Sequence, residues 1–480
     1  MGELRQELNG TGLTCAQVCA IARDGASVTV TEEGQERARA AWHVVREVAS
    51  KRSLYGRSTG VGANRLVELG NDDGTSHGLR LLRSHAGGAG PLLDPARSRA
   101  MIAVRLNQLA AGGSGVDPGL LDVLAEALNR GLIPPVHRYG AIGTADLTAL
   151  ASTALCLIGE RPWKGGTMPP IALGSADALA FISSNAATVG EAALACDDLR
   201  HLLNASMMIA ALSFLAVDGS LEPYAAAVSD SRPHPGQRAV AARLRSLLAV
   251  NASTPGRIQD PYSYRALPQV HGPAVDAAES LERVLIIEMN AASENPLVDV
   301  AGNEVHHNAN FHNAYVALAL DAARAALYQT AALSTSRLGT LIEPQYTGLR
   351  PFLADAAEAS SGVMILEYVA HSALADMRQH AVGAATGTAV VSRGVEEHAS
   401  FSAQAARSTT EVFGGYEVVL ACELVAAVRA LRLRGNSPIG GALRDAFELA
   451  DTVLDKSTQD RPLDDDIAVA TRLLSEFGAL

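Results

Sequence analysis

A chain of 480 residues is long enough to bury a large core. Its 39 Lys and Arg against 51 Asp and Glu leave a net charge of −12, so no basic stripe serves nucleic-acid phosphates and no nucleic-acid partner is expected. Apolar residues make up 48% but aromatics only 4%, a balance that suits closely packed helices better than a sandwich of strands.

In chain order, the first ten residues hold no apolar signal core, and the Met-Gly start lacks the Ser or Thr of a myristoyl signal. No charge-free run reaches membrane-spanning length, so the expectation is a cytoplasmic protein with no membrane partner. The cysteines at 15, 19, 156, 196 and 422 are too scattered for a disulfide framework. Cys15 and Cys19 fall on a predicted helix, and no second pair with ligand spacing follows, so buried thiols and no metal are expected. Ser27 to Thr31 reads as a short strand. Gly- and Pro-rich breaks cluster at Tyr55 to Gly62, His85 to Leu93 and Gly131 to Gly143. Helical periodicity dominates afterwards, as at Gly190 to Ala216, Ala274 to Ala291, Val316 to Leu338 and Gly362 to Ala381. The predicted fold is mainly all-α, an elongated helical bundle. A loop-rich N-terminal part covers 1–200, and one continuous body of long helices covers 201–480. Apolar flanks on such helices favour assembly with other copies.

The breaks carry the motifs. Tyr55-Gly56-Arg57-Ser58-Thr59-Gly60-Val61-Gly62 and Ser84-His85-Ala86-Gly87 stand in the first third. Gln259-Asp260-Pro261-Tyr262-Ser263-Tyr264-Arg265 follows, then Glu294-Asn295-Pro296-Leu297, Asn310-Phe311-His312 and Glu396-Glu397-His398. Taken singly, Tyr55 is a surface tyrosine, Arg265 a structural ion pair, Phe311 a core residue, and Glu396 with Glu397 a solvated acidic pair. Taken together and in order, these stretches resemble the histidine and aromatic amino-acid ammonia-lyase family from about residue 10 to about residue 440.

That resemblance implies a mostly helical homotetramer with active sites shared among subunits. Tyr55 would act as base, and Tyr262 as acid or orienter. Arg265 would clamp a substrate carboxylate with its planar guanidinium. His85, Ser183, Gln259, Phe311 and Glu396 would line the substrate pocket, with Ser183 standing where the family has asparagine. The histidines His312 and His398 keep a structural reading.

The pattern breaks at one point. The family builds an electrophilic methylidene-imidazolone ring from an Ala-Ser-Gly tripeptide, and the corresponding stretch here reads Gly140-Ala141-Ile142-Gly143-Thr144-Ala145-Asp146. Aligned without a gap, the tripeptide is Gly143-Thr144-Ala145. Aligned with one residue deleted, it is truncated. Neither alignment supplies serine. Dehydrated threonine would carry a methyl on the carbon an amine must attack, and the Ala145 Cβ crowds a cyclising turn. The alternative reading of this stretch is a turn that caps a helix, with Thr144 or Asp146 as N-cap.

No cofactor is therefore expected. A phenol with an ordinary pKa of about 10 does not take a weakly acidic benzylic proton unaided. The remaining base, second phenol and anion clamp suit a small molecule that is already activated, aromatic or carrier-tethered. Cyclisation, conjugate addition, isomerisation and elimination all fit, in a specialised metabolism. Two other readings stay open: a conventional lyase or aminomutase with an atypical ring on Thr144, and a non-catalytic binding or scaffolding homologue.

Overall fold

The computed structural model describes residues 5–69, 74–251 and 254–480; residues 1–4 of the N-terminal stretch read above lie outside it. Helices dominate. Three two-stranded sheets accompany them among the described residues. Arg5–Leu8 pairs in parallel with Ser27–Val30, while Ala89–Leu92 with His137–Tyr139 and Leu297–Asp299 with Glu304–His306 pair antiparallel. The helix starts are written locally. Thr14 and Gln17 form a reciprocal capping box on Cys15–Ala22, Thr31 caps Glu32–Ala49, and Asp94 with Pro95 opens Pro95–Ala110.

The chain forms two compact units, each assembled from separate stretches of sequence. Unit one combines 1–197, 281–320 and 383–407; unit two combines 198–280, 321–382 and 408–480. Four of the five exchanges fall within the long helices Ala186–Ala216, Leu267–Met289, Ala314–Leu341 and Ser402–Arg434, and the fifth follows the helix Ile365–His380. Of these helices, Ser402–Arg434 alone escapes the sequence periodicity. The stretch 176–216 is long and apolar enough to cross a bilayer, but 83% of its most apolar window is buried in the protein. All five cysteines are buried, and none forms a disulfide.

In unit one, Pro95–Ala110 runs through the core and carries a fully buried arginine. The Arg105 guanidinium donates to Phe181 O at 2.9 Å, to Ala180 O at 2.5 Å and to Glu294 Oε1 at 2.8 Å. Burial works against both charges of the Arg105–Glu294 pair, and their mutual contact offsets it. One side chain thus ties the end of the helix Ser175–Ile182 to the turn at Glu294.

Unit two has an equivalent anchor. Glu423 accepts from Arg337 Nε at 2.6 Å and Nη2 at 2.8 Å, and from the hydroxyls of Ser213 and Ser334, so its carboxylate is fully satisfied without water. The same guanidinium reaches Ser263 O at 3.3 Å.

Candidate active site

Tyr55 is positioned by the residue before it. Leu54 is buried with Ala41 and Val45 of the helix Glu32–Ala49 and with Val298 and Val305 of the last hairpin. Burying such a side chain stabilises by roughly 2 kcal/mol, enough to fix the start of the loop. Ser58 Oγ accepts from Leu54 N at 2.8 Å. Arg57 donates to Ser114 O and Gly115 O, at 3.3 and 3.1 Å. The loop then turns back through Gly62, whose φ of +56° is a glycine conformation. The Gly62 amide donates to Tyr55 Oη at 2.7 Å.

Around Tyr55 lies a cavity of about 260 Å³, lined by His85, Thr144, Ala145, Ser183, Phe311 and Glu396 among others. Seven residues singled out from the sequence, Tyr55 included, thus share one pocket in unit one. Burial pushes the Tyr55 phenol up, and the nearby Glu396 carboxylate adds to this; the Gly62 amide and Arg65 pull it down. His85 ends the helix Gly74–His85 with Nδ1 2.9 Å from Leu81 O. A carbonyl only accepts, so Nδ1 carries a proton and donates to it. Ser183 follows the helix end held by Arg105, and its hydroxyl accepts from Asn295 N at 3.2 Å.

The wall bearing Thr144 is pinned on both sides. Gly143 O accepts from Ser400 Oγ at 2.9 Å and from Asn313 N at 3.2 Å. Ala145 N donates to Asn185 Oδ1 at 3.0 Å, and the Asn185 amide donates in turn to Phe311 O. The helix-cap expectation is met by position but not by bonding. Asp146 precedes the helix Leu147–Leu157, yet its carboxylate accepts from Thr188 N and Oγ1, at the start of the next long helix. There it is fully buried, which pushes its pKa up to about 6.

Three features of this turn disagree with a ring-forming Ala-Ser-Gly. A Cβ at Gly143, which has φ +85°, would lie 2.0 Å from Ser400 Oγ, so alanine does not fit the first position. Thr144 carries a methyl where serine has none. Ala145 occupies the left-handed region at φ +73° with its side chain buried. The residues present do not match the group.

Gln259, Tyr262 and Arg265 are not in this pocket. They line a separate cavity of about 470 Å³ in unit two. The turn is held from its core side by Arg337 on Ser263 O and by Tyr224 Oη on Tyr264 O at 2.9 Å. Tyr262 is 69% exposed, and the Arg265 guanidinium lies 4.2 Å over its ring. Arg265 Nε is buried with no hydrogen-bond partner among the described residues.

Sequence reasoning missed Ser392, which lines the Tyr55 pocket and accepts from Ala63 N at 3.0 Å. Its only local signal is a Ser-Arg-Gly turn four residues before Glu396. It also singled out His312 and His398 only as structural; their rings are hydrogen-bonded to each other at 2.9 Å.

The family profile of the aromatic amino acid lyases matches residues 13–452. A histidine ammonia-lyase from Treponema denticola is 34% identical over 98% of this chain and 96% of its own length. Among solved structures, an ergothioneine-degrading ergothionase from the same species superposes with a TM-score of 0.92 at 25% identity, covering 99% of both chains. The tyrosine aminomutase of Streptomyces globisporus gives 0.92 at 28% identity over 98% of this chain and 97% of its own. With this likeness extending from end to end, and with the Tyr55 pocket assembled from the motifs that carry it, the chain belongs to the aromatic amino acid lyase family and is an enzyme of the ammonia-lyase fold.

Proposed function

We propose that this enzyme works without a methylidene-imidazolone ring, using Tyr55 as acid and base on a small molecule that brings its own activation. The observation that carries this reading is the turn at 143–145, where Ser400 fills the space of the missing alanine Cβ and threonine stands for serine. Tyr55 is a group suited to moving a proton. Its oxygen receives one amide hydrogen bond, which favours the phenolate, inside a pocket that otherwise disfavours charge.

In the proposed reaction the phenolate takes a proton from the carbon beside a thioester or ketone. The electron pair of that C–H bond moves onto the carbonyl oxygen, and the phenol then returns a proton at another atom. Cyclisation, conjugate addition, isomerisation and elimination differ only in where that second proton or a leaving group goes. Tyr262 and Arg265 would serve as second phenol and anion clamp. In a homotetramer one copy would present them to the Tyr55 pocket of another, which accords with their exposed position.

Two measurements test this. The intact mass of the purified chain should equal that of the unmodified sequence; a deficit of two water molecules would mean that a ring has formed. In D2O, the wild type but not Tyr55→Phe should wash deuterium into the α-carbon of an aryl-acyl N-acetylcysteamine thioester. Equal exchange by both proteins removes Tyr55 as base. The rival reading, an atypical ring on Thr144, draws support from the two donors on Gly143 O, since they would polarise the carbonyl that cyclisation attacks. The same mass measurement decides between them.

A further inference from the structure

We propose that Ser392 is a positioning residue for Tyr55, its hydroxyl oxygen holding the Ala63 amide beside the Gly62 amide that donates to the phenol. This rests on reading Tyr55 as the acid and base. Two consecutive amides do the work. Gly62 N–H donates to Tyr55 Oη at 2.7 Å, and the next amide, Ala63 N–H, donates to Ser392 Oγ at 3.0 Å. The peptide plane between residues 62 and 63 is rigid, so fixing the Ala63 amide fixes the backbone on one side of Gly62. Without Ser392 the turn at Gly62 keeps the bonds from Asn64 N to Val61 O at 2.9 Å and from Arg65 N to Gly62 O at 3.1 Å, but its left-handed backbone has more freedom to shift the amide on the phenol.

The other half of the contact is built to the same tolerance. A Cβ on Gly62 would meet Ser392 Oγ at 2.6 Å, so the serine oxygen closes directly on the loop. Ser392 is presented by a turn in which three successive residues are left-handed: Ser392 at φ +54°, Arg393 at +58° and Gly394 at +81°. Non-glycine residues hold such backbone only where surrounding contacts over-determine it. Here Val391 N donates to Glu396 O at 2.9 Å and Gly394 N to Val391 O at 3.1 Å. The closed turn thus delivers two pocket groups together: Ser392 to the loop amide, and Glu396 to the neighbourhood of the phenol.

The prediction concerns the ionisation of Tyr55. Besides the Gly62 amide, the charged and titratable groups that bear on it are Glu396 and Arg65, with the His307 ring edge-on 6.5 Å away. Changing Ser392 leaves the identity of each of these groups intact, and because Glu396 shares its turn, Glu396→Gln is measured alongside to separate the carboxylate's contribution.

The test follows tyrosine ionisation in the full-length protein by ultraviolet difference absorbance, with Tyr55→Phe subtracted to isolate Tyr55. Ser392→Ala should make Tyr55 about tenfold less acidic, a rise of about one unit in its midpoint, because a bond that favours the phenolate is lost. Ser392→Gly is the guard against misfolding. It relieves the left-handed strain, so it folds at least as well as the wild type, yet it should show the same loss of acidity. Ser392→Asn keeps an oxygen acceptor and tolerates the left-handed backbone, and should recover more than half of the shift. An unmoved midpoint in the alanine and glycine variants overturns the proposal, as does an asparagine variant no better than alanine. The catalytic reading fails on a different measurement, a Tyr55→Phe enzyme that keeps its full activity, whatever the Ser392 variants do to the Tyr55 midpoint.

Discussion

Replacing Arg105 by methionine removes the donor on which three acceptors in unit one depend: the Glu294 carboxylate and the carbonyls of Ala180 and Phe181. Glu294 is fully buried and its second oxygen already lacks a partner, so the variant leaves an uncompensated charge in the core. Breaking a buried pair in this way costs about 3–5 kcal/mol. Glu294→Met is predicted to be milder, about 2–3 kcal/mol, because Arg105 keeps both carbonyls and a weaker contact to Gln108 Oε1 at 3.4 Å. The double variant should be less damaging than Arg105→Met alone, since no orphan charge remains. Urea unfolding followed by tryptophan fluorescence reads the relevant region, because both tryptophans, Trp42 and Trp163, belong to unit one. Equal losses in the two single variants, or a double variant equal to their sum, would refute the argument that the pair and the helix end form one network.

Other outcomes follow from the Thr144 wall. The folded pKa of Asp146, about 6, exceeds its ordinary 3.8, so the folded state binds the proton more tightly and stability falls as pH rises from about 4 to about 6. Against Asp146→Asn, the difference in unfolding free energy should change by about 3 kcal/mol across that window and be flat above it; no change in the difference means the carboxylate is not buried as described. Gly143→Ala should destabilise by about 2–3 kcal/mol, from the left-handed backbone and the collision with Ser400, and Ser400→Ala in the same chain should recover part of the loss in thermal unfolding.

Much of this was legible in the sequence because the family motifs sit on breaks, where Gly and Pro mark the chain unambiguously. The long helices were legible too, where apolar residues recur without interruption. The helix Ser402–Arg434 was not, because its Gly414-Gly415 pair reads as a stop. In the structure Gly415 makes room for Met377, where a Cβ would meet the Met377 Cγ at 2.4 Å. Tertiary packing explains that glycine; local propensity does not. The division of the site residues between two units was equally invisible, since it depends on which segments share a core. Ser392 escaped for a similar reason. Its contact is 329 residues away along the chain and uses a backbone amide, which leaves no mark on the partner's side-chain identity. Asp146 shows the opposite failure: the N-cap position was readable, but the helix that its carboxylate serves begins some 40 residues later.

The seating of Ser400 against Gly143 also bears on how such a pocket changes over generations. Restoring alanine at 143 meets the serine oxygen, restoring serine at 144 leaves the left-handed Ala145 in place, and restoring glycine at 145 only loosens the turn. Reaching Ala-Ser-Gly from this sequence would therefore take coordinated changes that include Ser400, not three independent ones.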